Sequence, residues 1–119
     1  MLKNRCVLCV LLSMSFTSYT SASYIEQQEA INKQYFEQFD KSESMLNEKI
    51  QTILSSSHEG LEEFKSMIPS WIDFIGKKCA FVTNESKGTD AEIASVLSCK
   101  TEEYKKMTDY LLKSVINMP

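Results

Sequence analysis

Three glycines, two prolines, one histidine and one tryptophan are all that these residue types contribute to 119 positions. Glycine and proline are too scarce, and strand-like alternation too absent, for a β-rich chain. The lone histidine, His58, is remote from the cysteines, and past residue 9 no cysteine pair has close ligand spacing, so a metal site is a poor reading of these residues. No serine sits in a nucleophile motif beside a base. The adjacent acids Glu62-Glu63 and Glu102-Glu103 point in different directions on a helix, as solvated residues do. Neither an enzyme nor a cofactor is expected. The longest apolar run, CVLCVLLSMSF at residues 6–16, has eleven residues, whereas a helix needs about 20 to cross a bilayer.

That run has another use. Lys3 and Arg5 precede it and the small-residue stretch TSYTSAS follows, the three-part layout of a signal peptide cleaved after Ala22 or Ser23. A membrane-anchored N-terminus is the rival reading, and the run length argues against it. No cysteine lies just after the run to serve as a lipoprotein acylation site. The expected organisation is therefore a signal peptide at 1–23 and one helical domain at 24–119, exported to the periplasm or beyond, with no membrane insertion of the mature chain. Past residue 23 there are eleven lysines, no arginine and sixteen acids, a net charge of −5. This balance argues against nucleic acid, which selects a basic face, and permits a cationic partner.

Export also decides the cysteines. Cys6 and Cys9 leave with the signal peptide, so Cys79 and Cys99 remain, and two cysteines in an oxidising compartment read as one disulfide. No Cys-x-x-Cys survives cleavage to form a redox pair. A bridge closing a loop of this length contributes about 3 kcal/mol in the chain-entropy model, a large share of a small domain's stability.

The apolar pattern is helical throughout. Ile25, Ile31, Tyr35, Phe39, Leu46, Ile50 and Leu54 mark one face of a long helix from Tyr24 to about Ser55, with Phe36 and Ile53 beside the stripe. Serines 55–57, His58 and Gly60 make a turn. A second segment, Glu59 to Val82, carries Leu61, Phe64, Ile68, Trp71, Ile75 and Val82. Pro69 interrupts it, and a kink or break near 66–69 is expected, with Ser66 able to cap a restarted helix. Thr89-Asp-Ala-Glu92 fits a capping box. It opens a third segment with Ile93, Val96/Leu97, Lys100, Tyr104, Met107, Leu111 and Val115. Three long helices joined by short turns favour an all-α antiparallel bundle. One tension remains. Counted from the connecting loop, Cys79 lies about four residues back and Cys99 about ten forward, a height difference of roughly 9 Å. A disulfide needs Cα atoms within about 7 Å. Helix two runs past Thr83, or the loop climbs on one side, or helix three starts later than its capping box.

The spacing Trp71-x2-Phe74-x4-Cys79, a glycine-bearing loop, Cys99 and a helix with Leu111 resembles the LprI-type lysozyme-inhibitor family of exported bacterial proteins. Asp40 followed by Leu46-Asn47 resembles that family's first helix, so the resemblance runs roughly from Tyr35 to Leu111. It implies a helical scaffold stapled by the disulfide, Trp71, Phe74 and Leu111 as core anchors, and inhibition of a peptidoglycan-cleaving enzyme, a protein partner. The chain departs from the pattern in having Ile75-Gly76 in place of Arg-Asp, Met107 in place of an arginine, and no first-helix cysteines.

The loop TNESKGTD (residues 83–90) is the candidate contact site, through Glu85, Ser86, Lys87 and Asp90. A loop held between stapled helices loses less entropy on binding, although most short loops only connect. If Tyr35 and Phe36 cannot both be buried in a three-helix core, one is exposed and could serve a partner helix, although aromatic residues at helical spacing usually face inward. The alternatives to an inhibitor are a non-inhibitory envelope binding or structural module and an immunity protein against a rival's toxin.

Overall fold

The computed structural model describes residues 2–56 and 59–116, with side chains from residue 23 onward. The expected signal peptide falls on residues whose side chains, Ser23 excepted, lie outside the described ones, and His58 lies outside them altogether. The chain divides into two units, Met1–Lys33 and Gln34–Pro119. Helix α1 is Leu2–Leu54. In the first unit the expected stripe faces solvent, with Ile25 57% and Ile31 46% exposed. Those two positions are not core.

The second unit is the all-α antiparallel bundle that the periodicity implies. It holds the rest of α1, then α2 (Leu61–Val82), a 3-10 turn (Asn84–Ser86), α3 (Glu92–Leu111) and a closing π-turn (Leu112–Ile116). Its core takes Leu46, Ile50 and Ile53 from α1. Phe64, Ile68, Ile75 and Cys79 come from α2, and Tyr104, Met107 and Leu111 from α3. All fall at helical spacing, so each helix buries one stripe. Cross-helix pairs give the directions. Trp71 meets Tyr110, Lys78 meets Glu103 and Cys79 meets Cys99, so α3 numbers fall as α2 numbers rise. Those two helices are antiparallel.

Pro69 does not break α2, which continues unbroken to Val82. A proline costs the hydrogen bond to the carbonyl four residues back. Here both Pro69 and Lys65 are exposed, so water can serve the freed carbonyl while Phe64 and Ile68 hold the turn onto the core. Ser66 is accordingly no cap. It lies inside the helix, and its carbonyl accepts the Ser70 hydroxyl at 3.3 Å. The helix instead begins after Gly60, whose φ of +82° suits a residue without a Cβ.

The capping box is also displaced. α3 starts at Glu92, not just after Thr89. The Thr89 hydroxyl accepts from the Ala91 N–H at 3.3 Å, and the Glu92 carboxylate reaches back to the Gly88 N–H at 3.0 Å. This late start, with the 3-10 turn prolonging α2 on the other side at about 2 Å per residue, removes the height mismatch. Helix two ends at Val82, and the Cα atoms of Cys79 and Cys99 stand 5.7 Å apart in the bridge.

Candidate functional site

The connection between α2 and α3 is tied down at almost every residue. The Thr83 N–H and hydroxyl both donate to the Cys79 carbonyl, at 3.1 and 2.6 Å. Ser86 N–H bonds the Thr83 carbonyl at 2.9 Å, and Lys87 N–H bonds that of Asn84 at 3.1 Å. The Ser86 carbonyl then accepts both the Thr89 N–H at 3.0 Å and the Thr89 hydroxyl at 2.6 Å. Gly88 turns the chain at φ +78°, a left-handed conformation that a side chain would strain. The result is a short loop with a fixed backbone, hung from a disulfide four residues before it.

The four expected contact residues divide on this geometry. Glu85, Lys87 and Asp90 are exposed. Ser86 is half-buried, and its hydroxyl lies 3.2 Å from that of Ser95 on α3. With its carbonyl also engaged, Ser86 shapes the loop from inside and presents little to a partner.

Behind the loop stands a second cross-link. Lys78 donates to Glu103 at 2.7 Å, one residue from Cys79 and one turn from Cys99, and Lys106 adds a contact at 3.4 Å. The Lys78 hydrogen bond holds the Glu103 carboxyl below its ordinary value of 4.5, against partial burial that pushes it up. Tyr104, on the core side of α3, is shifted the other way. Burial, with a smaller push from the Glu43 charge, raises its phenol above 10.0.

Of the three expected core anchors, Leu111 is fully buried. Trp71 is half-buried against the core, with its ring edge-on to Tyr110 at 5.3 Å between centroids. Phe74 is not core: it is 60% exposed. The reason is angular. It precedes the buried Ile75 by one residue and so lies about 100° round the helix from the apolar stripe. Phe81, seven residues on and unremarked in the sequence, is 82% exposed. Setting both on one helical wheel with Ile75 and Cys79 would have revealed the row.

Between α1 and the start of α3 a shallow groove of about 270 Å3 is walled by Phe36, Glu92, Ile93, Val96 and Leu97. Phe36 is exposed and Tyr35 half-buried, which settles which of that pair faces solvent. Among the described residues no three His, Cys, Asp or Glu side chains converge as metal ligands would. No helix among them is long and apolar enough to cross a membrane.

A model of the family described as lysozyme inhibitor LprI matches residues 19–111. The match takes in α1 from residue 19 onward, all of α2, the fixed loop and α3 to its last residue. The chain belongs to the LprI lysozyme inhibitor family. The extent exceeds the Tyr35-to-Leu111 span that its motifs suggest, so the family pattern includes part of α1 ahead of its core residues. No curated protein matches the chain, and no solved structure does. LprI proteins are an inhibitor family rather than a catalytic one.

Proposed function

We propose that this LprI-family protein is exported and inhibits a lysozyme-type peptidoglycan hydrolase by binding and blocking it, without chemistry of its own. Residues 1–23 serve as the signal peptide and residues 24–119 as the mature inhibitor. The observation carrying this reading is the family match across residues 19–111. The geometry supplies a means. A lysozyme cleft is concave and works through paired carboxyl groups, so a fixed loop presenting Lys87 beside Glu85 suits its mouth. Because the loop is already ordered by its own hydrogen bonds, docking costs little further backbone entropy. The acidic balance of the mature chain favours encounter with a basic enzyme.

The test is a cell-wall turbidity assay with the Glu85→Ala/Lys87→Ala double variant. At least tenfold weaker inhibition at an unchanged melting temperature supports the loop; inhibition equal to wild type rejects it. Ser86 is left intact because its atoms hold the loop together. One observation favours the alternative of a non-inhibitory envelope module or toxin-immunity protein: Phe36, on α1, is 47% exposed. Partner binding lost with Phe36→Ser, and retained by the loop variant, would move the site to helix α1.

A further inference from the structure

The two most exposed large apolar side chains among the described residues are Phe81 and Phe74. They are seven residues apart on one helix and so share a face. Ser70 lies one turn before Phe74 on that face, and Glu85 follows Phe81 by four residues, in the 3-10 turn beyond the end of α2 at Val82. The row therefore runs Ser70, Phe74 and Phe81 and leads into the fixed loop at Glu85. The buried stripe of α2, with Phe64, Ile68, Ile75 and Cys79, points about 100° away, so the row is no frayed edge of the core.

Its charges are unequal. Lys77 is paired with Asp73 at 3.0 Å and Lys78 with Glu103 at 2.7 Å. Both cations beside the phenylalanines are thus neutralised by neighbours. Glu85 is exposed and has no ion pair among the described residues. The row thus offers two aromatic knobs leading to an exposed carboxylate, with Lys87 two residues further along the loop, on a mature chain of net charge −5. Exposed aromatic anchors flanked by charge are what tight protein interfaces bury at their centres. A second copy of this chain would bring the same net charge of −5 and be repelled, whereas a basic protein brings the opposite sign.

We propose that the α2 row of Phe74, Phe81 and Glu85 is the docking face for the basic hydrolase. The phenylalanines seat in apolar recesses of that protein, and Glu85 pairs with one of its lysines or arginines. This rests on the inhibitor reading and specifies the surface that carries it: the loop closes the cleft while the row supplies the grip.

The experiment titrates oxidised mature protein against an animal-type lysozyme, reading inhibition by turbidity, affinity by calorimetry and self-association by sedimentation. The variants are Phe74→Ser, Phe81→Ser, both together, and Glu85→Lys, with Ile93→Ser in the groove beside α3 as control. Each phenylalanine change should weaken binding at least tenfold and the pair on the order of a hundredfold. Glu85→Lys should weaken it about tenfold and flatten its salt dependence. Melting temperatures should not fall, since these side chains are exposed, and Ile93→Ser should bind as wild type does. Wild-type inhibition that survives the double phenylalanine change within threefold overturns the docking face and leaves the inhibitor reading intact. Self-association through the row, abolished by the same double variant, overturns it in favour of a second copy. A folded, oxidised wild type that neither binds nor inhibits removes the inhibitor reading itself, and this occupant with it.

Discussion

Thr101 is the one described side chain whose polar atom is buried without a partner. It is 4% exposed, and its hydroxyl makes no hydrogen bond. Other threonines in these helices behave differently: Thr52 donates to the Glu48 carbonyl at 2.9 Å and Thr108 to the Tyr104 carbonyl at 2.9 Å. Thr101 makes no such bond to the carbonyl of Leu97. A hydroxyl buried unpaired costs about 1–3 kcal/mol in proteins. Valine has nearly the same shape and a similar helix propensity, so Thr101→Val removes that cost without opening a cavity. The expected gain is about 1–2 kcal/mol, which in a domain of this size raises the melting temperature by roughly 5–10 °C. Urea unfolding followed by circular dichroism should show a higher midpoint at unchanged slope. Thr101→Ser, which keeps the hydroxyl and loses a methyl, should not stabilise. A Thr101→Val protein no more stable than wild type would refute the reasoning, because the hydroxyl would then be earning its place through a bond.

Four other outcomes follow from the same geometry. Replacing both Cys79 and Cys99 by serine should cost about 3 kcal/mol in urea unfolding, with the loop N–H groups losing hydrogen-exchange protection first. Leu111→Ala should cost about 2–5 kcal/mol as a buried leucine, whereas Phe74→Ala should stay within about 0.5 kcal/mol as a surface change; equal losses would contradict the burial pattern. Because the Glu103 carboxyl sits below 4.5, its contribution is present above that pH and is lost as pH falls through the folded-state value. Glu103→Gln should therefore flatten the acid limb of a stability–pH curve. Tyr104, raised above 10.0 by burial, should make stability fall as pH rises past that value toward the folded-state value, and Tyr104→Phe should remove that slope.

The helices were legible because the core residues repeat at three and four. Leu46, Ile50, Ile68, Ile75, Tyr104, Met107 and Leu111 stand where periodicity puts them, and the disulfide followed from export and elimination. Periodicity failed where burial is decided by neighbours and not by spacing. Ile25 and Ile31 continue the stripe of α1 in pattern, yet they face solvent in a unit with no partner helix of its own. Pro69 looked like a break because a sequence does not reveal that its freed carbonyl lies on the exposed side. The capping box misplaced the start of α3, since Glu92 caps the loop glycine and not the helix. At the candidate site, polarity and the flanking cysteines located the loop. They could not separate Ser86, whose atoms point inward, from Glu85 and Lys87, which point out. Phe74 was misread because its place in a cysteine-bearing motif was given more weight than its angle to Ile75.

The central claim is that a disulfide-stapled hairpin presents a fixed surface to a lysozyme. The direct measurement is residual activity of animal-type and bacterial-type lysozymes on cell walls, titrated with oxidised and with reduced mature protein. Stoichiometric inhibition by the oxidised protein, lost on reduction, is the result expected. A folded, oxidised protein that inhibits neither enzyme, or a reduced one that inhibits equally well, would contradict it.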